Sequence, residues 1–239
     1  MIEKLTDADV LSGVSSPLLP LLYAGLKYPS TDVDGVYIQT DNAEIQSFVS
    51  VKNSCAVVCV VNENYSAEEL NIFLSFLHIE EVLSDFVSGD GYKKIPLLMA
   101  ITEAFDTTEL DVASPLWKMS QYKSLHGLLS DENQCFDTWF TDFSRRVNEG
   151  FALAVCDKDY VSCAVAPCVY ENCGIIAGVY TDPRYRGQGL AQKCIKGLLG
   201  TLNAKGIKNI YLWCNEDKVK FYEKSGFRVI GSLYIREEF

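Results

Sequence analysis

Val179-Tyr180-Thr181-Asp182-Pro183-Arg184-Tyr185-Arg186-Gly187-Gln188-Gly189-Leu190-Ala191 is the stretch on which the reading of this chain turns. Residues 174–181 before it are β-prone, and residues 188–204 after it carry apolar side chains at helical spacing, closed by Gly206 as a left-handed C-terminal cap. The stretch is therefore a strand-to-helix turn. Glycines at 187 and 189 permit backbone conformations barred to other residues, so successive amides can face one ligand. The helix that begins there adds unpaired N–H groups and about half a positive charge, and Arg184 and Arg186 add full ones. Phosphate is the natural guest. A bare Gly-x-Gly also occurs in tight turns that bind nothing, so the turn alone leaves a purely structural role open. The dinucleotide fingerprint needs a glycine where this chain has Gln192, and a Walker loop needs Gly-Lys-Ser/Thr, which is absent. The stretch reads as a pyrophosphate cradle of another kind.

Working outward, residues 117–122 read as a strand, and residues 132–148 have the spacing of an amphipathic helix through Phe136, Trp139, Phe140, Phe143 and Val147. These aromatics read as core rather than as a cofactor box. Three strands at 151–156, 160–169 and 174–181 are separated by turn-prone 157–159 and 171–173, which predicts an antiparallel meander. Beyond the helix at 188–204 come a strand at 210–214, a helix starting after Asn215 and ending at Gly226, and a strand at 227–235.

With Arg184, Gly187 and Gly189 in Arg-x-x-Gly-x-Gly spacing, and Asn215, Tyr222 and Gly226-Phe227 following in order, the sequence resembles the GNAT superfamily of acyl-CoA-dependent N-acetyltransferases. The resemblance covers residues 116–239 and is strongest over 174–227. It implies an α/β (α+β) fold: a mixed, mostly antiparallel sheet flanked by helices, with an accessory α/β domain at 1–115. It also implies acetyl-CoA as co-substrate, with no metal. Backbone groups of Val179 and Thr181, flanking Tyr180, would pair with the pantetheine arm like an added strand. Amides of residues 184–191, among them Arg186, Gln188, Leu190 and Ala191, together with Gln192, would hold the pyrophosphate. Asn215 would bond the arm, and Tyr222 would sit by the sulfur. Read without the resemblance, Asn215 is a plain helix N-cap and Tyr222 a core aromatic on a face shared with Val219 and Phe227.

Acetyl transfer to an amine needs a neutral nucleophile, whereas an alkylamine of pKa near 10.4 is about 99.9% protonated at pH 7. The departing thiolate must in turn receive a proton, and a phenol of pKa about 10 can supply one, which suits Tyr222. The base is not legible: residues 173–181 hold neither carboxylate nor histidine, and the nearest acid is Glu171. Direct transfer in a ternary complex with a water relay is expected, with a Cys173 acyl-enzyme as the alternative. Transfer of a longer acyl or aminoacyl group, and a non-catalytic CoA-binding sensor, are the competing functions.

The rest of the chain bounds these readings. Its 239 residues are 48% hydrophobic and 22% charged, the make-up of a globular protein of one large or two modest domains. Residues 18–25 form an apolar run interrupted by Pro20, far short of the roughly 18 residues that span a bilayer. The first nine residues carry three acids against one base, unlike a secretory signal, so a cytoplasmic location is expected. Nine scattered cysteines without a Cys-x-x-Cys pair, and two histidines at no zinc-ligand spacing, read as buried thiols. Residues 1–115 hold 5 Lys/Arg against 18 Asp/Glu, a balance of −13, while 116–239 hold 16 against 14, a balance of +2. Such acidity argues against nucleic acid and anionic membranes and suits a cationic amine acceptor, though it serves solubility equally well. Either a monomer or a homodimer is compatible. In the acidic part, helices at 17–28 and 67–77 and strands at 35–40, 54–61 and 81–87 are expected. Ser66-Ala67-Glu68-Glu69 reads as a capping box. This order is compatible with a degenerate half of the same fold, with 62–65 in place of the phosphate loop, or with a plain accessory domain.

Overall fold

The computed structural model describes residues 1–86, 91–129 and 135–237. Its backbone forms two compact units. The first comprises Met1–Leu97, Trp213–Glu216 and the residues from Val229 on; the second comprises Leu98–Leu212 and Asp217–Arg228. No helix among the described residues is long and apolar enough to cross a membrane.

The first unit runs β1 (Ile2–Lys4), α1 (Leu19–Lys27), β2 (Gly35–Asp41), β3 (Glu44–Lys52), β4 (Cys55–Val60), α2 (Ala67–Phe76), β5 (Glu81–Ser84) and into β6 (Lys93–Ile101). Strands β1 to β4 pair as antiparallel neighbours, whereas β4 and β5 are parallel, with Cys55 opposite Glu81. A parallel pair needs a crossover, and α2 supplies it. Its apolar stripe, Leu70 and Leu74, packs on Val49, Val58, Ile79 and Val82. Ser66 caps α2 by accepting the Glu69 N–H at 3.2 Å. The return half of the expected capping box does not form, because the Glu69 carboxylate has stronger partners in the Gln39 amide at 2.8 Å and the chain's own ammonium at 2.9 Å. The strand expected over 81–87 ends at Ser84, and residue 87 lies outside the described residues.

The second unit takes the end of β6 and adds β7 (Leu110–Val112), α3 (Met119–Leu129), α4 (Phe136–Asn148), β8 (Leu153–Asp157), β9 (Ser162–Ala166), β10 (Cys168–Tyr170), β11 (Cys173–Ile175), β12 (Val179–Thr181), α5 (Leu190–Ala204), β13 (Asn209–Trp213) and α6 (Val219–Glu223). The last strand, β14 (Arg228–Glu237), belongs from Val229 on to the first unit and pairs there antiparallel with β5, with Tyr234 opposite Ser84. The sheet is mixed and mostly antiparallel, with helices on its faces, as expected. Residues 117–122, read as a strand, are instead a turn and the start of α3. The Trp117 N–H reaches Ser114 O at 3.0 Å, and the Lys118 N–H is taken by Gln121 Oε1 at 2.8 Å, a side-chain cap that commits the next residues to helix. The start of the helix expected over 132–148 lies outside the described residues; Phe136–Asn148 is helical.

Two expected strands are each divided. Residues 160–169 break at Pro167, which has no N–H to donate, into β9 and β10. Residues 174–181 break after Ile176. The Ile176 N–H still bonds Tyr211 O at 2.9 Å, extending the parallel pairing of β11 with β13, but the Ala177 N–H turns to Val165 O at 3.1 Å and Gly178 O accepts from the Val165 N–H at 2.7 Å. One segment thus leaves β13 and joins β9. It finishes as the edge of a second sheet in the order β12-β9-β8-β7. Helix α3 is tied down by Asp111, whose carboxylate accepts from Trp117 Nε1 and Gln121 Nε2, each at 2.9 Å, and from the Tyr160 hydroxyl.

Candidate active site

The edge position of β12 decides which of its backbone groups are available. Bonds from the Asp182 N–H to Val161 O at 2.8 Å and from the Val165 N–H to Gly178 O point the even-numbered residues at β9. In an antiparallel ladder successive residues face opposite ways, so the N–H and C=O groups of Val179 and Thr181 point outward. Of these, Thr181 O is held by Arg186 Nε at 3.1 Å.

The loop after β12 is folded by its own side chains. Asp182 caps the turn Pro183–Tyr185 by accepting the Arg184 N–H at 2.9 Å and pairs with the Arg184 guanidinium at 2.7 Å. That hydrogen-bonded pair holds the Asp182 carboxyl below, and the Arg184 guanidinium above, their ordinary ranges, although the Arg184 side chain faces solvent. Gly187 and Gly189 have φ of +80° and +77°, the left-handed region that favours glycine, and a Cβ placed on either would meet no atom of the protein within 4 Å. The first helical bond of α5 runs from the Lys193 N–H to Gly189 O at 3.0 Å. Six consecutive N–H groups, those of Gly187, Gln188, Gly189, Leu190, Ala191 and Gln192, have no hydrogen-bond partner among the described residues. Four of them, those of Gly189 to Gln192, are the orphan donors every helix start carries; the glycine turn extends the row. Arg186 lies beside the row, its guanidinium 6.0 Å from the centre of the Tyr180 ring.

Tyr222 lies in α6, half-buried, its ring edge-on to Phe221 at 5.0 Å and to the fully buried Phe227 at 6.0 Å. Its carbonyl accepts the Ser225 N–H at 2.8 Å, forming the turn that Gly226, at φ +90°, completes. Asn215 follows β13 in the segment Trp213–Glu216 that belongs to the first unit. It is exposed and stands directly before a 3-10 turn, Glu216–Lys218, that runs into α6, the helix-start position expected of it, although its side chain makes no hydrogen bond to a described residue. The second unit gathers Val179 to Gln192 and Tyr222; Asn215 is outside it. Glu171 sits in the turn before β11, at the end of that strand away from Val179. Burial pushes the Cys173 thiol up despite its bond toward Asn209, which disfavours the thiolate an acyl-enzyme needs. All nine thiols are free, and no group of His, Cys, Asp or Glu among the described residues has the arrangement to hold a metal ion.

A pocket of about 370 Å³ opens beside β12, lined by residues of α3, α4 and β9 and by the backbone of residues 177–180. Its aromatic wall reads as core in the sequence. Phe143 is core, at 5% exposure, but Trp139, stacked on it at 4.9 Å, is only half-buried and faces the pocket. Phe136, Trp139, Phe140 and Phe143 follow the i, i+3, i+4, i+7 spacing of one ordinary buried helix face, so no signal in the sequence separates the pocket wall from core.

A divided strand, an open edge and a glycine turn at a helix start are the features that the resemblance to the GNAT superfamily implies. Residues 116–227 match the acetyltransferase (GNAT) family model, and that part of the chain is a GNAT acetyltransferase domain. A glucosamine 6-phosphate N-acetyltransferase from Trypanosoma brucei brucei is 42% identical over 55 residues, 23% of this chain and 37% of its own length. The chain thus spans little more than a third of that curated relative. Two solved structures share the fold over nearly the whole chain. One is a GCN5-related N-acetyltransferase from Sphaerobacter thermophilus, with TM-score 0.59, 14% identity, and 99% of this chain and 95% of its own covered. The other is a Drosophila protein, with TM-score 0.60, 11% identity, and 99% and 98% covered.

Proposed function

We propose that the protein moves an acetyl group from acetyl-CoA to an amine by direct transfer in a ternary complex. The observation that carries the proposal is the row of six unbonded N–H groups at residues 187–192, continuous with the outward backbone of Val179 and Thr181. A pyrophosphate is the ligand that uses such a row, and an amide-bearing arm is the ligand that uses such an edge. In this reading Arg186 neutralises phosphate charge. The amine nitrogen, having lost its proton to water, attacks the thioester carbon. The C–N bond forms, the nitrogen gives its surplus proton to water, the C–S bond breaks, and Tyr222 gives its phenolic proton to the departing thiolate and regains one from solvent. The raised thiol of Cys173 favours direct attack over an acyl-enzyme. Residues 116–239 carry the donor site, and residues 1–115 draw cationic amines toward the protein through their −13 balance. A screen of amines for release of free CoA thiol tests the reading. Turnover with at least one amine is expected; tight acetyl-CoA binding with no thiol released by any amine would make the protein a sensor.

A further inference from the structure

An arm that starts at residues 187–192 and runs back along β12 passes Thr181, then Val179, and ends where the segment crosses from one sheet to the other at Ala177 and Gly178. The 370 Å³ pocket opens at that point, walled by Leu128 and Leu129 of α3, Trp139 and Phe143 of α4, Val165 of β9 and Tyr180 of β12. No charged side chain lines it. Its volume lies in the range that encloses a small organic ligand and greatly exceeds what an acetyl methyl fills.

We infer that this pocket selects the acceptor, and that the acceptor is an amine carried on an apolar, preferably aromatic, body. The inference rests on the transferase reading above and adds the substrate class to it. The side chains of the lining offer what an aryl or branched alkyl group needs: apolar contact from Leu128, Leu129 and Val165, and the half-buried Trp139, held in place by stacking on Phe143 with the rings 15° from parallel. It offers no carboxylate to an ammonium buried there, so the body enters the pocket and the nitrogen stays at the mouth beside Val179, where the reactive carbon arrives.

The test compares 2-phenylethylamine with ethanolamine as acceptors for acetyl-CoA in the full-length protein. The aromatic amine is expected to have the higher kcat/KM by roughly 10- to 100-fold, the worth of burying one such body. Trp139→Ala should shrink that ratio to about 3-fold or less while acetyl-CoA affinity stays within a few-fold, and Trp139→Phe should restore most of it. Leu128→Ser serves the same purpose should Trp139→Ala fail to fold. A preference for ethanolamine, or a ratio that survives in folded Trp139→Ala, would overturn the inference. A preference for hexanoyl-CoA over acetyl-CoA that disappears in Trp139→Ala would give the pocket to the acyl chain instead. Calorimetric binding of 2-phenylethylamine to the CoA-loaded protein separates the two readings. Binding that Trp139→Ala weakens 10-fold or more, without turnover, sustains the pocket and removes only the transferase; no binding to the wild type removes the pocket.

Discussion

Replacing Gly187 and Gly189 together by Val sets the cradle against the fold. Neither added Cβ meets a protein atom within 4 Å, so the intramolecular cost comes from φ of +80° and +77°. Holding a non-glycine residue there costs about 1–3 kcal/mol per site, a sum most domains survive given a stability of about 5–15 kcal/mol. The binding loss is larger. Either the valines keep the backbone and fill the space in front of the amides, or the loop relaxes and the amides turn away. Two charge-assisted hydrogen bonds lost at about 1.5–3 kcal/mol each weaken acetyl-CoA binding by roughly 100- to 10,000-fold. Gly206 is the control. Its φ is +83°, its Cβ would also meet nothing within 4 Å, and it ends the same 15-residue helix, about 22 Å from the cradle. Gly206→Val should lower the thermal midpoint about half as much as the double variant while leaving calorimetric affinity unchanged. Unaltered acetyl-CoA affinity in a folded Gly187→Val/Gly189→Val protein would refute the cradle.

Three further outcomes are expected. Tyr222→Phe keeps the edge-on packing with Phe227 and should lower kcat roughly 10- to 1,000-fold with acetyl-CoA affinity within a few-fold, since water replaces a general acid only in part; wild-type turnover would return Tyr222 to the core. Asp111→Ala leaves the buried Trp117 indole without its acceptor and should cost about 1–3 kcal/mol in denaturant titrations. Burial pushes the Asp111 carboxyl up, but hydrogen bonds from Tyr160, Gln121 and Trp117 outweigh it and hold the group below its usual range. Its stabilisation is therefore full above about pH 3.9 and lost as pH falls through the lower folded value, so Asp111→Asn should flatten the acid limb of the stability curve. For the −13 balance of residues 1–115, KM for a cationic amine should rise between 0.1 and 1 M salt more than KM for a neutral analogue, because the screening length drops from about 10 to about 3 Å; equal changes would make the acidity a matter of solubility.

What the sequence disclosed of this fold reflects local backbone demands. Gly187, Gly189, Gly206 and Gly226 all have positive φ, so the ends of α5 and the end of α6 were written in residues with few alternatives. The same holds for Ser66 at the start of α2. The elements that escaped are those whose pattern long-range packing erased. Strand β3 is buried on both faces, and Gln46, Ser47 and Ser50 lie inside, so the alternation that marks a half-buried strand is absent. Strand β6 contains Pro96, which demotes any strand assignment. At 117–122 an aromatic-rich segment imitated a strand until the Gln121 cap, visible only in three dimensions, made it a helix. For the site, backbone donors were legible because glycines announce them, whereas the pocket was hidden because Trp139 and Phe143 look alike in sequence and differ only in exposure.

The division of residues 174–181 ties these observations together. A continuous strand would keep β13 as its neighbour to the end, and its backbone would have no groups to spare. Because the pairing switches between Ile176 and Ala177, Val179 and Thr181 emerge on an edge, and the segment that supplies donors to the arm also supplies the floor of the pocket. Gly178 sits at the switch, and a Cβ there would press on Val165 at 3.2 Å and on Leu129 at 3.3 Å. These distances are tighter than ordinary van der Waals contact, so any side chain at 178 must push the Val165 or Leu129 side chain aside by a few tenths of an ångström. Close packing transmits such a shift rather than absorbing it. Both neighbours line the pocket, so one glycine sets the open edge and the pocket wall at once. Under the proposed function, donor pairing and acceptor selection would both follow from a single change of strand partner.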